Sequence, residues 1–89
     1  MNIFDDLINL ARERKSKPVE GSYTNKLLSD KFLCKAKILE EINELIEAVE
    51  VDSNKIHEAA DVFYHIIMYL EANNIKVEDV MAELEKRKK

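Results

Sequence analysis

The 89 residues contain one glycine, one proline, one cysteine and no tryptophan. So little glycine and proline excludes sandwiches and barrels, whose many tight turns need both, and excludes the glycine-rich loops that cradle nucleotide phosphates. A lone Cys34 forms no internal disulfide, so no oxidised scaffold holds the fold. No apolar run approaches the roughly 20 residues of a membrane span. The start, Met1-Asn2-Ile3-Phe4-Asp5-Asp6, turns acidic at once and carries no secretory apolar stretch. A cytoplasmic protein with no membrane association is expected.

What remains is rich in apolar and charged side chains. Hydrophobic residues make up 46% of the chain and charged ones 36%, with 18 acids against 14 bases and a formal charge of −4. That is enough apolar material for one packed domain over residues 1–89. A core of this size is small for independent stability, so a homodimer or higher homo-oligomer is expected. Nucleic acid is not an expected partner, because the bases share the chain with a larger acidic set.

Helical spacing recurs in four stretches. Ile3, Phe4, Leu7, Ile8 and Ala11 fall at steps of three and four, with Asn2 as N-cap and Asp5 and Asp6 in the positive first turn. The breaker-rich segment 16–24 holds Pro18 and Gly21 and reads as a loop, with Thr24 capping a short turn through Leu28. A long helix is predicted over 31–50, with a stripe of Leu33, Ile38, Ile42, Leu45, Ile46 and Val49. Asp52-Ser53-Asn54 ends it and caps a second long helix over 55–72, which buries Ile56, Ala59, Val62, Phe63, Ile66, Ile67 and Leu70. Asn73-Asn74 is a stop, since asparagine tolerates a left-handed backbone. A last short helix carries Val77, Val80, Met81 and Leu84. The predicted fold class is all-α: an antiparallel helical hairpin with short flanking helices, its four-helix-bundle core completed by dimerisation.

Charge is segregated along the chain. Residues 12–37 hold eight bases against three acids, whereas residues 38–54 hold six acids and no Lys or Arg. A solvated helix face ordinarily mixes signs, because Glu and Lys four apart stabilise by roughly 0.2–0.5 kcal/mol. Here the two long helices each present a carboxylate pair three apart, Glu41/Glu44 and Glu58/Asp61. Antiparallel packing lets the four converge. Unpaired, they repel and raise one another's pKa values; a hard divalent cation removes the conflict. Oxygen-only ligands point to Mg²⁺ or Mn²⁺ rather than zinc. The competing reading is a solvated acidic face, since Glu40, Glu44 and Glu47 lie nearly opposite the apolar stripe.

Other clusters carry weaker signals. His57-Glu58-Ala59-Ala60-Asp61 imitates a zinc-protease motif but has Asp61 where the second His is required. His57, Asp61 and His65 do share a face at four-residue spacing, and a satisfied interfacial histidine is favoured there over a zinc site. Cys34 reads as a small buried apolar group. Tyr64 and Tyr69 read as packing groups. Lys86-Arg87-Lys88-Lys89 complements the C-terminal end of the last helix.

Glu40-Glu41-Ile42-Asn43-Glu44, followed after 13 residues by Glu58-Ala59-Ala60-Asp61, resembles the E-E-x-x-E … E-x-x-D signature of the all-α nucleotide pyrophosphatase superfamily, the MazG-like fold. Glu20-Gly21-Ser22-Tyr23-Thr24-Asn25-Lys26-Leu27 resembles the E-G-S-Y-T-x-x-L segment of the phosphoribosyl-ATP pyrophosphatase family of histidine biosynthesis. Arg14-Lys15, Tyr64-His65, Glu78-Asp79-Val80 and Glu83-Leu84 extend the resemblance along nearly the whole chain. Two positions depart from it: Leu39 replaces a common Gly, and Lys76 replaces the Ser or Thr that usually caps the last helix. The 89 residues are not expected to include the cyclohydrolase domain that is fused to members of this family in some organisms.

The resemblance implies Mg²⁺-dependent hydrolysis of phosphoribosyl-ATP to phosphoribosyl-AMP and pyrophosphate. Glu41, Glu44, Glu58 and Asp61 are the expected metal ligands and Glu40, adjacent on the helix, the expected water-positioning base, although the superfamily pattern by itself does not separate base from ligand. Counter-charge for the phosphates falls to Arg14, Lys15, Lys26 and Lys37, with Ser22, Tyr23 and Thr24 of the loop as further substrate contacts. Two other functions use the same residues differently. A housekeeping nucleoside triphosphate pyrophosphohydrolase needs the carboxylates but not the loop. A non-catalytic helical dimerisation module needs neither, and predicts no response of stability to metal.

Overall fold

The computed structural model describes residues 2–88, and Met1 and Lys89 of the two terminal runs read above lie outside them. Five helices account for those residues: α1 (Ile3–Ser16), α2 (Tyr23–Ser29), α3 (Lys31–Val51), α4 (Lys55–Ala72) and α5 (Val77–Arg87). The all-α class and the long hairpin are as expected. None of these helices is long and apolar enough to cross a membrane.

Local chemistry sets most of the boundaries. The Asn2 side chain accepts from the Asp5 amide at 2.9 Å and starts α1. Asp30 does the same for α3 through the Leu33 amide at 3.0 Å. The cap of α2 is Ser22, not Thr24: the Ser22 hydroxyl accepts from the Asn25 amide, while Thr24 is buried one turn inside. Gly21 precedes it at φ +80°, a left-handed conformation that lets the chain reverse into the helix. Asp52 and Asn54 are both left-handed, and this turns α3 into α4 within three residues. Asn74 plays the same part after α4. Lys76 starts α5 with no side-chain cap, as the missing Ser or Thr implies.

The core lies at the open end of the hairpin. Ile8, Ala11, Leu27, Cys34, Ile67, Met68, Ala72 and Val77 form it, so α1 and α2 pack across the first turn of α3 and the last turns of α4. The tip of the hairpin projects beyond this core. The radius of gyration is 14.0 Å, against about 12 Å for a compact domain of this length.

Apolar patterning therefore overstated what one chain buries. Ile42, Ile46 and Val49 of the α3 stripe are exposed, and so are Ile56 and Phe63 of α4. On α3 the buried side is Cys34, Glu41 and Ala48 instead. Leu39, Ile42, Ile46 and Val49 follow one another at three, four and three residues, the seam of a helix that pairs with another helix. Phe63 lies 5.9 Å from the Phe4 ring and lines an apolar groove of about 220 Å³ with Met81 and Leu84.

Candidate active site

The carboxylates meet inside the projecting hairpin. Glu41 sits on the α3 face turned to α4, and Glu44 follows one turn later. Across the gap, Glu58 of α4 brings its oxygen into the same space, and ligand atoms of all three lie within 4.8 Å of one another. Asp61 falls in an overlapping group with His57 and Glu58, its Oδ2 3.3 Å from His57 Nε2. The expected four-carboxylate set is thus two groups sharing Glu58.

This arrangement is electrostatically unbalanced. Glu41 is only 7% exposed, and its carboxyl is pushed up to about 7. Burial is the main cause; a proton-sharing hydrogen bond with Glu44 and the charges of Glu44 and Asp61 add to it. Burial, then the Glu44 charge, also raise Glu58. Among the described residues, Glu41 Oε2 and Glu58 Oε2 are buried without a hydrogen-bond partner. Lys37 is the nearest compensating base, but its Nζ is 4.0 Å from Glu41 and spends its short contact, 2.8 Å, on Glu40. Buried acceptors without donors cost about 1–3 kcal/mol each, more when charged. A hard divalent cation satisfies every one of these demands. The residues fit such an ion, and a cavity of about 310 Å³ lined by Glu44, Glu47, Ser53, Asn54 and Glu58 opens beside them.

The loop between α1 and α2 is stapled rather than slack. Arg14 Nη1 donates to Ser22 Oγ at 2.7 Å, Asn25 Nδ2 donates to the Arg14 carbonyl at 2.8 Å, and the Val19 amide donates to Asn25 Oδ1 at 2.8 Å. Tyr23 opens α2 with its ring stacked on Tyr64 at 6.4 Å and its hydroxyl 2.7 Å from His65 Nε2. The charges of Lys37, Glu41 and Glu40 all act on that hydroxyl, so the start of α2 flanks the acidic group.

Comparison with known proteins bears on the same residues. Residues 4–88 match the model of a family described as phosphoribosyl-ATP pyrophosphohydrolase. The chain belongs to the phosphoribosyl-ATP pyrophosphohydrolase family. A phosphoribosyl-ATP pyrophosphatase of Clostridium acetobutylicum is 43% identical over 96% of this chain and 80% of its own. One of Listeria welshimeri is 38% identical over 96% and 84% respectively. The histidine biosynthesis bifunctional protein HisIE of Pyrococcus furiosus is 37% identical over all of this chain and 43% of its own.

For a phosphoribosyl-ATP pyrophosphohydrolase, the placement of the remaining candidates is informative. Glu40 is outside the carboxylate group, on the exposed side of α3, held by Lys37. Lys15 donates to the Glu71 carbonyl at 2.7 Å and to Asn74 Oδ1 at 3.2 Å, so it closes the end of α4 while also lining a cavity with Arg14, Pro18 and Asn25 beside the loop. Thr24 is buried with its hydroxyl 2.5 Å from Tyr64 Oη, and fastens α2 to α4. Arg14 and Lys26 remain beside the loop, with Lys26 exposed. His65 is buried with both ring nitrogens engaged, which removes it from a zinc set with His57. Sequence reasoning missed the Arg12 network: its guanidinium spans Glu71 at 3.1 and 3.2 Å and Glu78 at 2.9 and 2.6 Å, joining α1 to α4 and α5. Both Arg12 and Glu71 stand four residues after a core isoleucine, Ile8 and Ile67. Opposite charges in register with two apolar stripes were the signal.

Proposed function

We propose that this chain hydrolyses phosphoribosyl-ATP to phosphoribosyl-AMP and pyrophosphate in the cytoplasm, using Mg²⁺ held by Glu41, Glu44 and Glu58, with Asp61 joining them. The observation that carries this is the trio of uncompensated carboxylates, two with orphaned buried oxygens, in a chain of this family. A non-catalytic dimerisation module has no reason to bury Glu41 against two other acids. When bound, the cation supplies positive charge to the polyphosphate and acidity to a water. The chain's own residues do the rest. Lys37 holds Glu40 at the rim, where its carboxylate orients and deprotonates the attacking water. Ser22 accepts from Arg14 and from the Asn25 amide, which leaves its own hydroxyl proton for a phosphate oxygen. Arg14 and Lys26 add positive charge for the phosphate on the substrate's extra ribose.

A product-release panel tests this reading against the housekeeping alternative. Phosphoribosyl-ATP is expected to be cleaved to pyrophosphate only with Mg²⁺, and far faster than ATP or GTP. Lys26→Ala and Arg14→Ala should each lower kcat/KM for phosphoribosyl-ATP by about ten- to a hundredfold while sparing residual ATP cleavage. Equal turnover of ordinary triphosphates by the unaltered chain would transfer the assignment to the housekeeping function.

The exposed α3 seam supports a homodimer in which α3 and α4 of two copies complete one four-helix bundle. Light scattering at low micromolar concentration should report twice the chain mass or a multiple of it. Ile46→Asp, at an exposed seam position, should reduce that to one chain without first disturbing the core. A folded monomer in the unaltered chain would end this proposal.

A further inference from the structure

His65 is 4% exposed on α4, so both of its ring nitrogens require hydrogen-bond partners. Both have one. Nδ1 lies 2.7 Å from the Asp61 carbonyl oxygen, which can only accept, so Nδ1 carries the proton. Nε2 is then an acceptor, and the Tyr23 hydroxyl 2.7 Å away donates to it. The Asp61 carbonyl also faces the amide of residue 65 along the helix, so the imidazole takes its second lone pair. The turn that carries Asp61 is held at two points. A hydrogen-bonded line therefore runs from the first residue of α2, through His65, to the backbone of a carboxylate beside Glu58. Tyr23 is held at the right height by the stack of its ring on Tyr64.

We propose that Tyr23 and His65 are positioning residues that set the start of α2 and the Asp61 turn in register, so that cation binding at the carboxylates depends on how α2 is seated. This rests on the metal-site reading above. Residues one step removed from a metal tune its ligands by fixing their orientation, and here the step leads into the segment that meets substrate.

Tyr23→Phe keeps the ring and its stack and removes only the hydroxyl. Tyr64→Phe removes a different bond between the same two helices, the one to Thr24, with no path to Asp61. Both should lower the melting temperature of the metal-free protein slightly. In calorimetric titration with Mg²⁺, Tyr23→Phe should bind about three- to tenfold more weakly than the unaltered chain, and Tyr64→Phe should bind equally well. The ¹⁵N shifts of His65 should report a proton on Nδ1 in the unaltered chain and a changed Nε2 signal in Tyr23→Phe alone. Equal Mg²⁺ affinity in all three proteins, or equal weakening in both variants, would overturn the link, since α2 then acts only as packing. Failure of the unaltered chain to bind Mg²⁺ would overturn the metal reading and this inference together.

Discussion

Glu41→Gln is expected to abolish pyrophosphate release and, in metal-free protein, to raise the melting temperature. Glutamine keeps the shape and removes one of three charges confined within 4.8 Å. Loss of a preorganised electrostatic group typically costs on the order of 10²–10³ in kcat, and on the proposed site the loss would extend to the cation. Stability moves the other way because the Glu41 carboxyl is pushed up to about 7 by burial and by Glu44. The unfolded chain gives up that proton near its ordinary value of 4.5, so between 4.5 and about 7 the folded state binds more protons. Metal-free stability is then full at low pH and falls as pH rises through about 7. Glu58, raised for the same reasons, adds to the slope. Mg²⁺ requires the ionised carboxylates, so its binding releases protons below about pH 7 and weakens there. Melting curves from pH 5 to 8.5 should show the metal-free decline, its removal by millimolar Mg²⁺, and a flatter line in Glu41→Gln. A metal-free melting temperature that is level across this range, or indifferent to Mg²⁺, would count decisively against the site.

Arg12→Ala is expected to give the largest loss of stability of any single exposed-side substitution. Arg12 forks onto two carboxylates from two helices, and Glu71 is buried with its side chain 5% exposed. The pair of acids holds the guanidinium proton more tightly than usual, while Arg12 draws Glu78 down to about 2. Removing one partner of a buried ion pair costs about 3–5 kcal/mol; Arg12 is 39% exposed, so about 2–3 kcal/mol is expected. At roughly 4–8 °C per kcal/mol for a domain of this size, the melting temperature should drop by about 10–20 °C. Arg12→Lys should recover little, because an ammonium lacks the planar fork that gives each carboxylate two hydrogen bonds. Adding Glu71→Gln to Arg12→Ala should recover much of the loss, since the stranded charge goes with it. A drop of only a degree or two would show that water already compensates Glu71.

Helix positions and ends were readable because they depend on local chemistry. Asn2 caps α1, and Asn73 with Asn74 ends α4, as side-chain geometry requires. The paired carboxylates were readable because like charges three apart on successive helices have no local justification. Burial was read less well. Ile56 keeps helical period with the core but lies at the tip, where it is left exposed, and Phe63 is only partly covered by Phe4. Periodicity records that a face is apolar, not which chain covers it. Met68 is fully buried although it is absent from the predicted α4 stripe. The role of Ser22 over Thr24 depended on which of two hydroxyls, two residues apart, faces the free amides, and Thr24 was claimed by Tyr64, 40 residues away. Long-range hydrogen bonds of that kind leave no spacing rule behind.

The tight turn at 52–54 also governs the order in which the molecule assembles. Glu58 stands only 14 positions after Glu44 and 17 after Glu41, so their meeting requires the closing of one short loop. Such contacts are local enough to form while the chain is still largely disordered, well before α1 finds α4 some 55 residues on. The closing step is thus the one in which negative charges are pressed together. If the folding barrier carries that repulsion, metal-free refolding should slow as pH rises from 4.5 toward about 7, where the confined carboxylates give up their last shared protons, and should quicken with divalent cations.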